Sequence, residues 1–85
     1  MTINVDQLIN IAQDINYGRR RYVKTRETSD VYAKESLFCG MCHAFGVSSD
    51  RVFTIARLAE KWERKWEVPF PAWAHHEQII SYITD

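Results

Sequence analysis

Glycine and proline are scarce in this chain, three and two residues in 85. That scarcity disfavours both a disordered tract and a turn-rich β fold. Net charge is lacking too, because eleven basic residues balance eleven acidic ones. A dedicated nucleic-acid binder draws much of its affinity from phosphate neutralisation and usually carries a basic excess. Any such role here must rest on a local patch. No stretch approaches ~18 consecutive apolar residues, the length needed to span a membrane as a helix. The opening residues, MTINVDQLINIAQD, have no basic region followed by an apolar run, so they do not read as a secretory signal. The expectation is a cytoplasmic chain with no membrane partner. Its two cysteines, Cys39 and Cys42, are then expected to stay reduced.

What the chain does have is aromatic surface. Trp62, Trp66 and Trp73, with Phe38, Phe45, Phe53 and Phe70, each offer about 150–250 Å² to a core when turned inward. The length sets one domain, residues 1–85, that buries roughly 60–65% of its unfolded surface. Aromatic burial of this kind supports a compact core without disulfides.

Apolar residues recur with the helical period in four segments. The first spans about Asn4 to Tyr17, with Val5, Leu8, Ile9, Ala12 and Ile15 on one face, Asn4 or Asp6 as cap and Gly18 as stop. GRRRYVKTRETSD follows and lacks that period. It reads as a loop with a short extended piece around Tyr22 and Val23. Ser29 or Asp30 is placed to cap a second helix, from about Val31 to Phe45, with Leu37, Phe38, Met41, Cys42 and Phe45 as its stripe. Gly46 ends it. A third helix runs from about Asp50 to Glu67 behind the capping residues SSD. Val52, Ile55, Ala56, Ala59, Trp62 and Trp66 share a face, and Glu60 with Arg64 makes an i,i+4 pair on the wet side. Pro69 and Pro71 stop it, and Pro71 opens a fourth helix to about Ile83. Its inward stripe is Trp73, His76, Ile79, Ile80 and Ile83. The expected fold is all-α, a bundle of about four helices with a corner at Gly46.

The stretch CGMCHAFGVSSD, residues 39–50, admits three chemistries. Cys39-x-x-Cys42-His43 has the spelling of a covalent haem site. Against it stand the missing export signal, the absence of any methionine after Met41 to complete the iron, and the place of Met41 and Cys42 in a continuous apolar stripe. Zinc needs about four converging ligands. Cys39, Cys42, His75 and His76 supply the number, but adjacent histidines on a helix diverge by about 100°. The expectation is no metal and no cofactor. Cys42 then serves as a small buried hydrophobe, with Cys39 at the edge of the stripe.

The third chemistry is a helix, a glycine turn and another helix. The spacing resembles a helix-turn-helix: Cys42 four before the glycine, Met41 five before, Phe45 and Val47 on either side, Val52 and Ile55 six and nine after. In that reading Ser49, Phe53, Thr54 and Arg57 face outward near the start of the third helix, where hydroxyls reach phosphates and Arg57 reaches a base or the backbone. Arg19, Arg20, Arg21, Lys24 and Arg26 would add backbone contacts. Asp50 repels phosphate unless it serves as a cap, and Phe53 suits a protein partner as well as a thymine methyl.

No glycine-rich phosphate loop appears, nor any set of nucleophile, base and orienting group. The chain is therefore expected not to be an enzyme. The reading favoured by neutral charge, Phe53 and Asp50 is a small helical binding module that contacts another protein, an adaptor or an inhibitor of a larger machine. By analogy alone, such domains occur among accessory proteins of phages and mobile elements. The nine residues Arg19 to Arg26 and Ser49 to Arg57 named above form the expected partner site. A nucleic-acid-binding regulator, free to act as a homodimer, is the alternative.

Overall fold

A computed structural model describes residues 4–25 and 31–84, with side chains over 4–20 and 32–84. Four α-helices follow in order: α1 (Val5–Thr25), α2 (Val31–Phe45), α3 (Ser49–Trp66) and α4 (His76–Ile83). One 3-10 turn, Ala72–His75, precedes α4. Among the described residues the only β pairing is an isolated antiparallel bridge between Val47 and Thr84. The all-α bundle expected from the periodicity is the observed fold.

Helix α1 is the centre of the assembly and touches every other helix, α3 most extensively. Its start is set by Asn4, whose side-chain oxygen accepts the Gln7 backbone N–H at 3.0 Å. Its end departs from the sequence expectation. The helix passes through Gly18 and continues to Thr25, so Arg19, Arg20, Arg21 and Lys24 stand on a helix rather than in a loop, and Tyr22 and Val23 are not extended. Glycine inside a helix costs about 1 kcal/mol. Arginine and lysine are good helix formers and sit well near a C-terminus, and two ion pairs tie this extension to its neighbours. Arg19 reaches Glu35 of α2 at 2.8 Å, and Arg20 reaches Glu60 of α3 at 3.2 Å. Arg26 and the Ser29 or Asp30 cap lie outside the described residues.

The corner at Gly46 has a full backbone lock. Gly46 holds φ +68°. Its N–H donates to the His43 carbonyl at 3.2 Å, and the Val47 N–H donates to the Cys42 carbonyl at 3.0 Å. These are the two bonds of a Schellman stop, and its apolar contact is supplied by Val47 and Cys42, both buried. Ser48, one residue earlier than Ser49, caps α3 by accepting the Arg51 N–H. The corner is clasped from outside by residues 82–84. The Ser48 N–H donates to the Ile83 carbonyl at 2.7 Å, and Arg51 donates to the Tyr82 carbonyl at 2.8 Å with its guanidinium over the Tyr82 ring.

Leu8, Ile15, Phe38, Val52 and Ile83 are the largest fully buried side chains. Ala12 of α1 and Ala56 and Ala59 of α3 are fully buried as well, which lets these two backbones approach closely. Asn16 lies in the same core, and its amide nitrogen has no hydrogen-bond partner, at a cost of about 1–3 kcal/mol. The core is thin: the Cα extents are 38 × 32 × 15 Å. The accessible surface of 6072 Å² exceeds the roughly 5,200 Å² expected for a folded chain of this mass. A plate of this shape has too little interior for every apolar side chain.

The fourth helix shows what that means. Residues 72–75 wind as a 3-10 turn at about three residues per turn, so an α-helical period counted from Pro71 runs out of phase. Ala72 takes the buried place, while Trp73 and His76, expected to face inward, are exposed. Ile79 and Ile83 are buried as expected.

Two glycines separate backbone need from accident. A methyl group added at Gly40, inside α2, meets nothing within 4 Å, whereas Gly46 needs its positive φ. Gly40→Ala is expected to raise the unfolding free energy by about 1 kcal/mol, and Gly46→Ala to lower it by about 1–2 kcal/mol. Urea titrations followed by circular dichroism measure both.

Candidate functional site

The residues expected to form a partner site are partly occupied within the fold. Arg19 pairs with Glu35 and also lies 4.9 Å from the Phe53 ring centroid. Phe53 is half-buried and packs 4.8 Å from the buried Phe38 ring, so it closes the edge of the core between α2 and α3. Arg20 makes a two-pronged contact with Glu60 at 3.2 and 3.5 Å. Ser49 is the first residue of α3 and is half-buried. The Thr54 hydroxyl donates to the Asp50 carbonyl at 3.0 Å and accepts from Arg57 at 3.5 Å. Arg57 itself is exposed. The structure thus joins Arg19 to Phe53 and Thr54 to Arg57, and turns Arg20 to an acid of α3. The side chains of Arg21 and Lys24, and all of Arg26, lie outside the described residues.

A different surface is built at the C-terminal end of α3. Trp62 and Trp66 stand one helical turn apart, with ring centroids at 6.4 Å. The chain then leaves the helix through Glu67, which adopts the left-handed conformation at φ 57° and donates its N–H to the Glu63 carbonyl. This reversal brings Phe70 back edge-on to Trp62 at 5.8 Å, and His75 stacks on Phe70 at 5.9 Å. The corner is held by one carboxylate. Glu63 accepts the Phe70 backbone N–H at 3.0 Å and the Gln13 amide of α1 at 3.2 Å. The result is a continuous row of rings, Trp66, Trp62, Phe70 and His75, and Trp73 lies in the same 3-10 turn as His75.

Much of this row is in water. Trp66 is 56% exposed and Trp73 78%. Leu58, one turn before Trp62, and Val68 are also exposed. The sequence expectation turned all three tryptophans inward; only Trp62 is even half-buried. The legible signal was density. The run KWERKW with PFPAW close behind it holds more aromatic surface than one edge of a thin plate can enclose.

Charge around the row is segregated. Glu60 was expected to pair with Arg64 along the helix but turns to Arg20 instead. Glu60 and Glu63 are thus both used against α1 and the corner. Arg57, Lys61, Arg64 and Lys65 are exposed, and the Lys65 ammonium lies over the Trp66 ring at 5.1 Å. A shallow cleft of about 500 Å³ between α1 and α3 is lined by Arg20, Glu60, Glu63 and Arg64.

Cys42 is buried and Cys39 exposed. Burial, with a smaller contribution from Cys39, raises the Cys42 thiol from 9.0 to about 11. Among the described residues no three histidine, cysteine or acidic side chains are placed to share a metal ion. None of the described helices is long and apolar enough to cross a membrane. No family model, curated protein or solved structure matches the chain.

Two measurements follow from these placements. Trp66→Ala and Trp73→Ala are expected to change the unfolding free energy by about 0.5 kcal/mol or less, against about 3–5 kcal/mol for Phe38→Ala. Thermal or urea melts distinguish these cases. The Cys42 thiol is harder to ionise folded than unfolded, so its contribution to stability is complete below the unfolded value near 9 and is lost as pH rises through about 11. Wild type should lose on the order of 1 kcal/mol more than Cys42→Ala over that interval, read from paired urea melts. In the native protein at pH 8, alkylation should reach Cys39 and spare Cys42.

Proposed function

We propose that the chain is a small, non-enzymatic helical binding module that acts by contact with another protein, as an adaptor or an inhibitor of a larger machine. The observation that carries this reading is the exposure of Trp66, which packs on Trp62, and of Trp73 in the turn after Phe70. Tryptophan is among the side chains that dominate protein interfaces, because one ring supplies a large apolar area with few rotatable bonds. The ring row is seated on a helix end fixed by Glu63, so it is in place before a partner arrives, and less is lost in ordering it.

The regulator of nucleic acid has weaker support. Arg19 and Arg20 are engaged with Glu35 and Glu60, and Phe53 closes the core rather than facing outward. The Gly46 corner has the geometry of a helical turn, but any helical corner with a glycine stop uses the same bonds.

The test is site-specific photocrosslinking in the native cell with a photoreactive phenylalanine at position 66 or 73, and at the exposed position 10 as control. A discrete protein adduct at 66 and 73, absent at 10, unchanged by nuclease and reduced when Trp62 is replaced by alanine, is expected. An adduct that nuclease abolishes would replace this reading with the nucleic-acid one.

A further inference from the structure

Helix α3 carries its cations outward in an arrangement that its own fold does not balance. Arg57, Lys61 and Lys65 follow one another at four-residue spacing, with Arg64 three residues after Lys61, and all four are exposed. Like charges at i,i+4 destabilise a helix. The acids on the same helix, Glu60 and Glu63, are bonded elsewhere, one to Arg20 and one to the Phe70 N–H and Gln13, although Arg64 lines the same cleft as both. The helix dipole accounts for Arg64 and Lys65 in the last turn. It does not account for Arg57 and Lys61, which lie further back. Along one edge of this basic stripe run Leu58, Trp62 and Trp66, at the four-residue spacing of an apolar seam. The charge comes without the excess over the whole molecule that draws in a polyanion, since the chain is neutral.

We infer that this face of α3 receives an acidic segment of a partner protein, whose carboxylates meet Arg57, Lys61, Arg64 and Lys65 while its apolar side chains lie against Leu58, Trp62 and Trp66. This rests on the reading of the chain as a protein-binding module and names the chemistry of what it binds. Charge complementarity identifies the occupant: the stripe offers four cations with no carboxylate bound to them among the described residues. The aliphatic Leu58 and Val68 favour a peptide over stacked bases, which call for rings throughout. Carboxylates would also remove the repulsion along the helix, so part of the gain appears only in the complex.

The experiment titrates the 85-residue chain with fluorescein-labelled helical peptides of about 16 residues and follows anisotropy. One peptide carries glutamate on one face and leucine on the other; a second has lysine for glutamate; a third has serine for leucine. The glutamate–leucine peptide is expected to bind at least tenfold more tightly than either control, and more weakly as salt is raised. The double variant Lys61→Glu/Lys65→Glu should invert the preference toward the lysine–leucine peptide, and Trp66→Ala should lower affinity for the first peptide about tenfold. Circular dichroism of both variants verifies the fold. Equal binding of the glutamate and lysine peptides, no binding of either, or no inversion in the double variant would overturn the inference. So would a 20-nucleotide oligothymidylate or a duplex of the same length that binds more tightly than the first peptide. Protein adducts at positions 66 and 73 together with refusal of the acidic peptide would leave the module in place and remove only its acid-seeking face.

Discussion

The close packing of α1 on α3 is the constraint from which the rest of this molecule follows. Alanines at 12, 56 and 59 let the two backbones approach, and polar groups line the seam beside them. Arg20 takes Glu60, and Gln13 takes Glu63. An exposed ion pair of this kind contributes little to stability, about 0–1 kcal/mol. Its larger effect is directional. By drawing both acids of the middle of α3 toward α1, the seam determines which charges of that helix are left to water. A helix with five basic and three acidic residues in sequence becomes one with a basic outer face in three dimensions.

The same seam explains the ring row. Glu63 faces α1 and simultaneously holds the Phe70 N–H, so the reversal after Trp66 is anchored to the core through a single carboxylate. Glu67 pays for the reversal with a left-handed backbone that a non-glycine residue adopts at about 1–2 kcal/mol. The return of Phe70 onto Trp62 and His75 onto Phe70 offsets that strain with aromatic contact. The tryptophans on either side of this corner are left outside the core of a molecule whose Cα atoms span only 15 Å in its thinnest direction.

Much of the architecture was legible in the residues. The bounds of α2, the stop at Gly46, the buried face of α1 and the Val52, Ala56 and Ala59 part of the α3 face follow from apolar period and glycine chemistry, and Cys42 occupies the small buried place its stripe assigns. Two local signals misled. Gly18 resembles a stop, yet tertiary ion pairs carry α1 through it, and side-chain partners 16 and 40 residues away are not visible in a local window. Pro71 resembles an α-helical start, yet the turn behind it winds with a different period and rotates Trp73 and His76 outward. The candidate site was legible only in part. Arg57 is exposed as its position on the third helix implies, but Phe53 looked free because its partner Phe38 comes from another helix. Trp66 and Trp73 looked buried because periodicity assigns a face without knowing how much interior lies behind it.

The clasp of residues 82–84 on the Gly46 corner has a kinetic side. The bridge from Val47 to Thr84 closes a loop of nearly forty residues, at a chain-entropy cost of roughly 3 kcal/mol in a flexible chain. Helices and helical corners form from near neighbours, whereas this contact unites segments that meet only after α3 and α4 exist. It is therefore expected to form late in folding and to open early in unfolding. Release of the clasp would bare the seat of Ile83 against the corner while leaving the packing of α1 on α3 intact. The Ser48 amide, whose only partner among the described residues is the Ile83 carbonyl, reports that opening directly through its rate of hydrogen exchange.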